Sequence, residues 1–261
     1  MITTVTIDFW NTIVDAGNGE QRRAHRHEAM RRVFDERGRA WDADAVDAAV
    51  RTATKVFEER WFGERRTMNA GETLEVVWRE LDLAVSPEQH ARVREAFEES
   101  ILIGMPRLLD GAAEAIEALA AQYRLALISD TAISPGVMLR EVLVRHGVAR
   151  HFTTMVFSDE SGVAKPHPRA FALALEACGA APHEAVHIGD IEKTDIAGAV
   201  AMGMQAILFE GDPNRLHYSD PAATAAHARA SAWREIPMIV AAMHDGAGTR
   251  RAGSDGSDPA S

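Results

Sequence analysis

Three textures of hydrophobic and polar positions divide the chain. Residues 2–7 are a short, β-branched apolar run that ends on a carboxylate, Asp8. A continuous run of this kind reads as a strand buried on both faces. After a loop carrying Gly17 and Gly19, strand-like alternation disappears and a helical period takes over to about residue 102. The period predicts a helix over 20–36, with Ala24, Met30, Val33 and Phe34 as apolar positions and Gly38 as its stop. A second helix is expected over 42–61 with Asp42 as N-cap, and a third over 71–81. A fourth opens at Ser86-Pro87-Glu88, a cap residue followed by proline at the first helical position, and ends near 104–106. Residues 63–69 form a polar break that contains Arg65 and Arg66.

From residue 107 the pattern becomes alternation of strand and helix. Strands are expected at 123–129, 152–158, 185–189 and 205–209, and helices at 111–121, 135–146, 168–177, 195–202 and 233–243. Such alternation implies a parallel sheet with helices on both faces. Residues 211–230 are polar and Ala-rich and suggest no element, and 246–261 hold no apolar residue larger than alanine, as in a disordered tail. The fold class is therefore α/β: a Rossmann-like parallel core at 1–15 plus 105–245, an inserted all-helical cap at 16–104, and a tail at 246–261. The insertion follows the first strand, which places it as a lid over that strand's C-terminal end. In parallel α/β sheets ligands bind at that end.

Composition narrows the partners. Hydrophobic residues make up 46% and charged residues 26%, an ordinary globular balance. The net charge of -11 argues against nucleic acid or an anionic membrane as the main partner. A small-molecule ligand is expected, and a homodimer is compatible with everything in the chain. Cys178 is the only cysteine, so no internal disulfide forms. No apolar run is long enough to span a bilayer, and the start lacks the basic region of a secretory signal. A cytoplasmic location is the expectation.

The candidate chemistry sits at predicted strand ends. Asp8 is placed as a nucleophile or metal ligand. A carboxylate attacking phosphorus needs a divalent cation, a lysine and hydroxyl or backbone donors to offset charge. Ser129 follows an apolar strand and is a donor candidate. Lys165, in the loop Gly162-Val163-Ala164-Lys165-Pro166, supplies a fixed positive charge. Asp190 follows Gly189 at a strand end and is a second metal-ligand candidate. Asp195, five residues on, is a carboxylate that holds the lysine or metal-bound waters.

These four stretches, in this order, resemble the haloacid dehalogenase superfamily, which hydrolyses substrates through an aspartate nucleophile. The helical block resembles its C1-type cap, and the chain is similar to phosphoglycolate-phosphatase-like members of subfamily I. The resemblance implies a covalent intermediate on Asp8 and Mg2+ held by Asp8, the Trp10 main-chain carbonyl and Asp190. It implies that Ser129 and Lys165 hold the transferring group and that Thr12 supports the loop. Asp130 and Thr131, which follow Ser129 directly, join the substrate-binding set, Thr131 through its backbone N–H.

One position departs from the pattern. Phosphatases of the superfamily carry a second aspartate two residues after the nucleophile, as general acid and base, and here that residue is Trp10. A main-chain carbonyl survives any side chain, but the acid is lost, a group that contributes ~10²–10⁴ in rate. The main expectation is Mg2+-dependent hydrolysis of a small phosphate ester or acyl phosphate, favouring leaving groups that depart without a proton. One alternative is a 2-haloacid-dehalogenase-type hydrolase, because halide needs no acid, although that branch lacks the aspartate found here as Asp190. The other is a weakly catalytic binding or regulatory protein. A Schiff-base branch would need a cap lysine, and Lys55, the only one in the block, falls mid-helix where solvent exposure is the simpler reading. His25, His27, Arg60, Arg65 and Arg66 are cap candidates for reaching substrate. Trp61 and Phe62 suit either a lid face or helix packing, and His187, inside a strand, reads as structural.

Overall fold

The computed structural model describes residues 1–213 and 224–252. Six strands form one sheet: β1 (Thr4–Ile7), β2 (Arg124–Ser129), β3 (Phe152–Phe157), β4 (Ala185–Gly189), β5 (Gln205–Phe209) and β6 (Ala228–Ala230). Their order is β3-β2-β1-β4-β5-β6, and every pair is parallel. The chain builds outward from β1 through β2 to β3, then returns to lay β4 on β1's other side. That reversal leaves a crevice at the C-terminal ends of β1 and β4, where Asp8 and Asp190 follow directly.

The first four of the five helices between β1 and β2 form the helical block: α1 (Gly19–Glu36), α2 (Ala43–Glu64), α3 (Ala70–Glu80) and α4 (Pro87–Ile103). Local signals start three of them. The Asp42 carboxylate accepts from Ala45 N at 3.0 Å, and Asn69 and Glu72 exchange side-chain and backbone hydrogen bonds at 2.9 and 3.0 Å. Ser86 and Gln89 do the same around Pro87. The helices enclose their own apolar cluster, which includes Met30, Phe34, Val46, Leu74, Val77, Trp78, Val93 and Phe97.

The remaining helices cover the sheet: α5 (Ala112–Ala120), α6 (Gly136–Arg145), α7 (Ser158–Ser161), α8 (Pro168–Cys178), α9 (Ala197–Ala201) and α10 (Ile236–Ala252). Successive strand residues face opposite ways. Val5, Ile7, Leu125, Leu127, Val186 and Ile188 point into a core closed by α5, α6 and α10. Ala126, Ile128, Ala206 and Leu208 point into a second one closed by α8 and α9. Both faces are thus buried, as the apolar runs demanded.

Four expectations need correction. β6 lies in the stretch expected to carry no element; three residues are enough when they extend β5 in parallel register. Ser158 opens α7 rather than ending β3. The helix expected at 195–202 begins earlier, as a wide π turn over Glu192–Ile196 that leads into α9. α10 continues to Ala252, inside the stretch read as tail, because a helix anchored by buried Ile236 and Val240 propagates at the cost of one residue per added bond. The rest of that tail, 253–261, lies outside the described residues, as do 214–223 of the unassigned stretch. Among the described residues no helix is long and apolar enough to cross a membrane.

Leu74 is fully buried in the helical cluster. Leu74→Ala is expected to lower stability by about 2–5 kcal/mol, read from the shift of a urea unfolding midpoint. An unchanged midpoint would contradict the packing.

Candidate active site

The site is built on a lysine that water barely reaches. Lys165 is 2% exposed. Its Nζ donates to Asp8 Oδ1 and, at 2.6 Å, to Asp195 Oδ1. Its backbone N–H donates to Asp130 Oδ1 at 2.9 Å. Burial works against the lysine's charge, but Asp195, Asp8 and Asp130 together hold its pKa above the ordinary range. Asp195 is likewise opposed by burial, yet Lys165 and His187 keep it well below the usual carboxylate value. Burial pushes Asp8 up to about 7, against the pull of Lys165.

Behind Asp195 a polar column runs down into the sheet. His187 Nε2 lies 3.0 Å from Asp195 Oδ1, and its Nδ1 lies 2.8 Å from Thr6 Oγ1. Burial lowers the His187 pKa, so the ring is neutral. An ionised Asp195 can only accept, which puts the ring proton on Nε2 and makes Thr6 the donor to Nδ1. Thr6 and His187 are register partners on β1 and β4, so the pair is a consequence of strand alignment. His187 is structural in location, as expected, but it also positions Asp195. Asp195 Oδ2 accepts from Ile191 N at 3.1 Å across the π turn. Gly189 allows this approach: a Cβ there would sit 2.6 Å from Asp195 Cβ.

Asp190 is 6% exposed, and burial, then the nearby Asp8, raises its pKa well above the usual value. Unlike Asp8 and Asp195, it has no cationic side chain in contact among the described residues. Two neighbouring buried carboxylates, one of them without a donor side chain, suit a hard divalent cation that takes one or two carboxylates and fills its remaining positions with carbonyl and water oxygens. Among the described residues no group of three or more His, Cys, Asp or Glu side chains could hold a metal.

The crevice opens into a cavity of about 490 Å³. Asp8, Trp10, Asn11, Asp130, Lys165, Asp190 and Asp195 line its floor. Val50, Ala53, Phe57, Glu58 and Trp61 of α2 line its roof. Those roof residues recur at helical spacing, so one face of α2 covers the site. Trp61 Nε1 also donates to Asp130 Oδ2 at 2.9 Å, tying the helical block to the strand-end loop. Burial raises Asp130 to about 6.

Other candidates stand elsewhere. Ser129 is buried and its hydroxyl has no partner, but it does not line the cavity. The same holds for Thr12, whose carbonyl accepts from Trp233 Nε1 at 2.6 Å. The Thr131 N–H is taken by Ser158 Oγ at 2.8 Å and its hydroxyl faces Ser158 and Asp159, so it braces the loop instead of offering a free donor. In the helical block His27 pairs with Asp47, and Arg60 and Arg66 pair with Glu72. The Arg65 carbonyl accepts from Ala164 N at 2.7 Å. None of these, nor His25, lines the cavity. Glu58 does, and its place on the same face of α2 as Phe57 and Trp61 was the available signal.

Comparison with known proteins agrees with this architecture. The family profile described as haloacid dehalogenase-like hydrolase matches residues 2–203. The phosphoserine phosphatase of Thermus thermophilus is 46% identical over 68 residues, which are 26% of this chain and 27% of that enzyme. The chain covers between 27% and 38% of the length of the curated relatives that head the comparison. A 2-haloacid dehalogenase from Pseudomonas syringae superposes with a TM-score of 0.67 at 22% identity, covering 93% of this chain and 99% of that one. The HAD-hydrolase YfnB from Bacillus subtilis, solved bound to magnesium, gives 0.62 at 18%, covering 92% and 98%. At these identities the structural likeness speaks for the fold.

Lys165→Met removes the cation shared by two buried carboxylates and is expected to cost roughly 3–5 kcal/mol at neutral pH. Asp8 and Asp195 would then have folded-state pKa values above their unfolded ones. The folded state would bind protons first as pH falls, and the deficit would shrink from about pH 7 toward the ordinary carboxylate range. Urea unfolding at pH 7.5 and pH 5 measures this, and a pH-independent deficit would contradict it.

Proposed function

The chain belongs to the haloacid dehalogenase-like hydrolases, and from that premise we propose that it is a Mg2+-dependent phosphohydrolase of small metabolites with Asp8 as nucleophile. In this reading residues 1–15 and 105–245 act as the catalytic core and 16–104 as the cap that closes over it. The observation that carries the reading is Asp190: a buried carboxylate beside Asp8, facing the cavity, with no cationic side chain in contact. A dehalogenase-type reaction has no need of it. The partial match to a phosphoserine phosphatase supports the same choice. A single cysteine suits action in the reducing cytoplasm.

Asp8, Asp190 and the main-chain carbonyl of Trp10 would hold the cation. When bound, Mg2+ supplies counter-charge to the two carboxylates and to the phosphoryl oxygens. Asp8 Oδ attacks phosphorus, the bond to the leaving oxygen breaks, and an aspartyl phosphate forms. Lys165 offsets the negative charge at the reacting end and is itself fixed by Asp195. Ser129 lies at the C-terminal end of the neighbouring strand β2 with an unpartnered hydroxyl. Water then attacks phosphorus, releasing phosphate and restoring Asp8. Trp10 can neither protonate the leaving oxygen nor activate that water. Acyl, enol and aryl phosphates, whose leaving groups depart unprotonated, are the favoured substrates.

Trp10 is also the one feature that favours a second reading, carbon–halogen hydrolysis, where halide leaves without a proton. A single panel separates the two. Wild type with Mg2+ is expected to release phosphate from acetyl phosphate and p-nitrophenyl phosphate, and Asp8→Asn is expected to abolish this. Trp10→Asp is expected to raise turnover of alkyl phosphates by up to the ~10²–10⁴ that a general acid contributes. Halide release from 2-haloacids in EDTA, without phosphate release, would establish the second reading. Ligand binding without turnover of either kind would mark a binding protein.

A further inference from the structure

A second cavity, of about 220 Å³, lies against the first. Trp10, Ala132 and Ile133 line both, so the Trp10 side chain forms part of the wall between them. The far side of the smaller cavity carries two arginines one turn apart on α1, Arg22 and Arg26. Arg22 is fixed by donating Nη1 to Gly104 O at 2.7 Å and Nη2 to Ala16 O at 2.9 Å. Its guanidinium carbon lies 5.8 Å from the Trp10 ring centroid. Arg26 donates only Nε, to Arg22 O at 3.2 Å, and its guanidinium carbon lies 5.6 Å from the Phe97 ring centroid. Its two terminal nitrogens have no partner among the described residues.

This is an unusual arrangement for a chain of net charge -11. Arg23, Arg60, Arg66 and Arg92 of the same helical block each meet a carboxylate. Neither Arg22 nor Arg26 forms an ion pair among the described residues, although both are half-buried. Burial, then the like charge of Arg22, pushes Arg26 down to about 10. Two guanidinium groups held close together and half out of water are unfavourable unless an anion joins them. The terminal nitrogens of a guanidinium present a fork that fits a carboxylate or phosphate with two parallel hydrogen bonds.

We propose that Arg26, backed by Arg22, binds a second anionic group, carboxylate or phosphate, of the same ligand whose phosphoryl group sits at Asp8. The inference rests on the phosphoryl reading above and narrows it: the substrate is a small phosphorylated molecule that carries another negative charge on its far end. Trp10 then has a positive role. It stands in the acid's position beside the passage between the reacting end and the anion pocket, and its ring supports Arg22.

Isothermal titration of the full chain with Mg2+ tests this with three non-hydrolysable probes of equal spacer length. These are propylphosphonate, 4-phosphonobutyrate and 1,3-propanediphosphonate, each with three carbons beyond the phosphonate phosphorus. Wild type is expected to bind one or both doubly functional probes at least about tenfold more tightly than propylphosphonate, the size of one charge-assisted pair. Whichever is preferred identifies the second group as carboxylate or phosphate. Arg26→Gln is expected to bring that ratio to about one, and Arg26→Lys to keep part of it, since a point charge remains but the fork is lost. Because the readout is a ratio within each variant, a general loss of binding does not mimic it. Equal binding of all three probes by wild type, or a preference that survives Arg26→Gln, would overturn the anion pocket and leave the phosphoryl reading standing. Binding of none of the three would overturn the phosphoryl reading, and the pocket with it.

Discussion

A buried ammonium must be surrounded by anions, and Lys165 meets this demand only where separate segments converge. Asp8, 157 residues away in sequence, comes from the end of β1, and Asp195 from the turn after β4. Asp130, after β2, accepts the lysine's own backbone N–H. Removing Lys165 would leave the buried Asp8 and Asp195 carboxylates without the cation they share. The strand-end loops are therefore locked to one another by electrostatics as well as by the sheet. The sheet answers in turn: register pairing of Thr6 with His187 sets the ring that orients Asp195. The Asp8 carboxylate in the crevice is thus referenced to the interior of the fold through four successive polar contacts.

That rigidity below contrasts with what stands above. The helical block has its own apolar core and meets the site through one face of α2 and the Trp61–Asp130 hydrogen bond. Its side chains supply most of the cavity's apolar roof, with Glu58 among them, while Lys165 and its carboxylates stay on the strand-end loops. This division lets the lining of the cavity change without disturbing the lysine and its anions. Trp10 belongs to both halves. Its backbone lies in the turn that presents Asp8, and its ring faces the helical block, packing edge-on to Phe9 and lying beside Arg22. An aspartate there would serve proton transfer, whereas an indole serves shape.

Legibility in the sequence followed the range of the interaction. The strands of the core were readable because burial on both faces writes continuous apolar runs. The helix starts at Asp42, Asn69 and Ser86 depend on residues three apart, although only the first and last were read as caps. Asp8, Lys165, Asp190 and Asp195 could be named because each follows a strand or opens a helix. Their mutual contacts could not, because nothing local encodes that Lys165 meets both Asp8 and Asp195. β6 was missed because three residues carry no pattern of their own and exist by pairing with β5. Thr131 was credited with a free donor because its partner, Ser158, comes from the next strand's end. Arg22 and Arg26 went unnoticed for a related reason: in a polar helix they read as solvent-facing, and only the packing of α1 on α4 and the core turns them inward.

The central claim is that Asp8 forms a covalent bond to phosphorus. Since Trp10 cannot activate the water that would discharge it, the aspartyl phosphate should accumulate during turnover. Acid quenching of wild type with acetyl phosphate and Mg2+, followed by peptide mass spectrometry, tests this directly. One added phosphoryl group is expected on the peptide containing Asp8, and none in Asp8→Asn. Turnover with an unmodified Asp8, or a phosphoryl group on another residue, would contradict it.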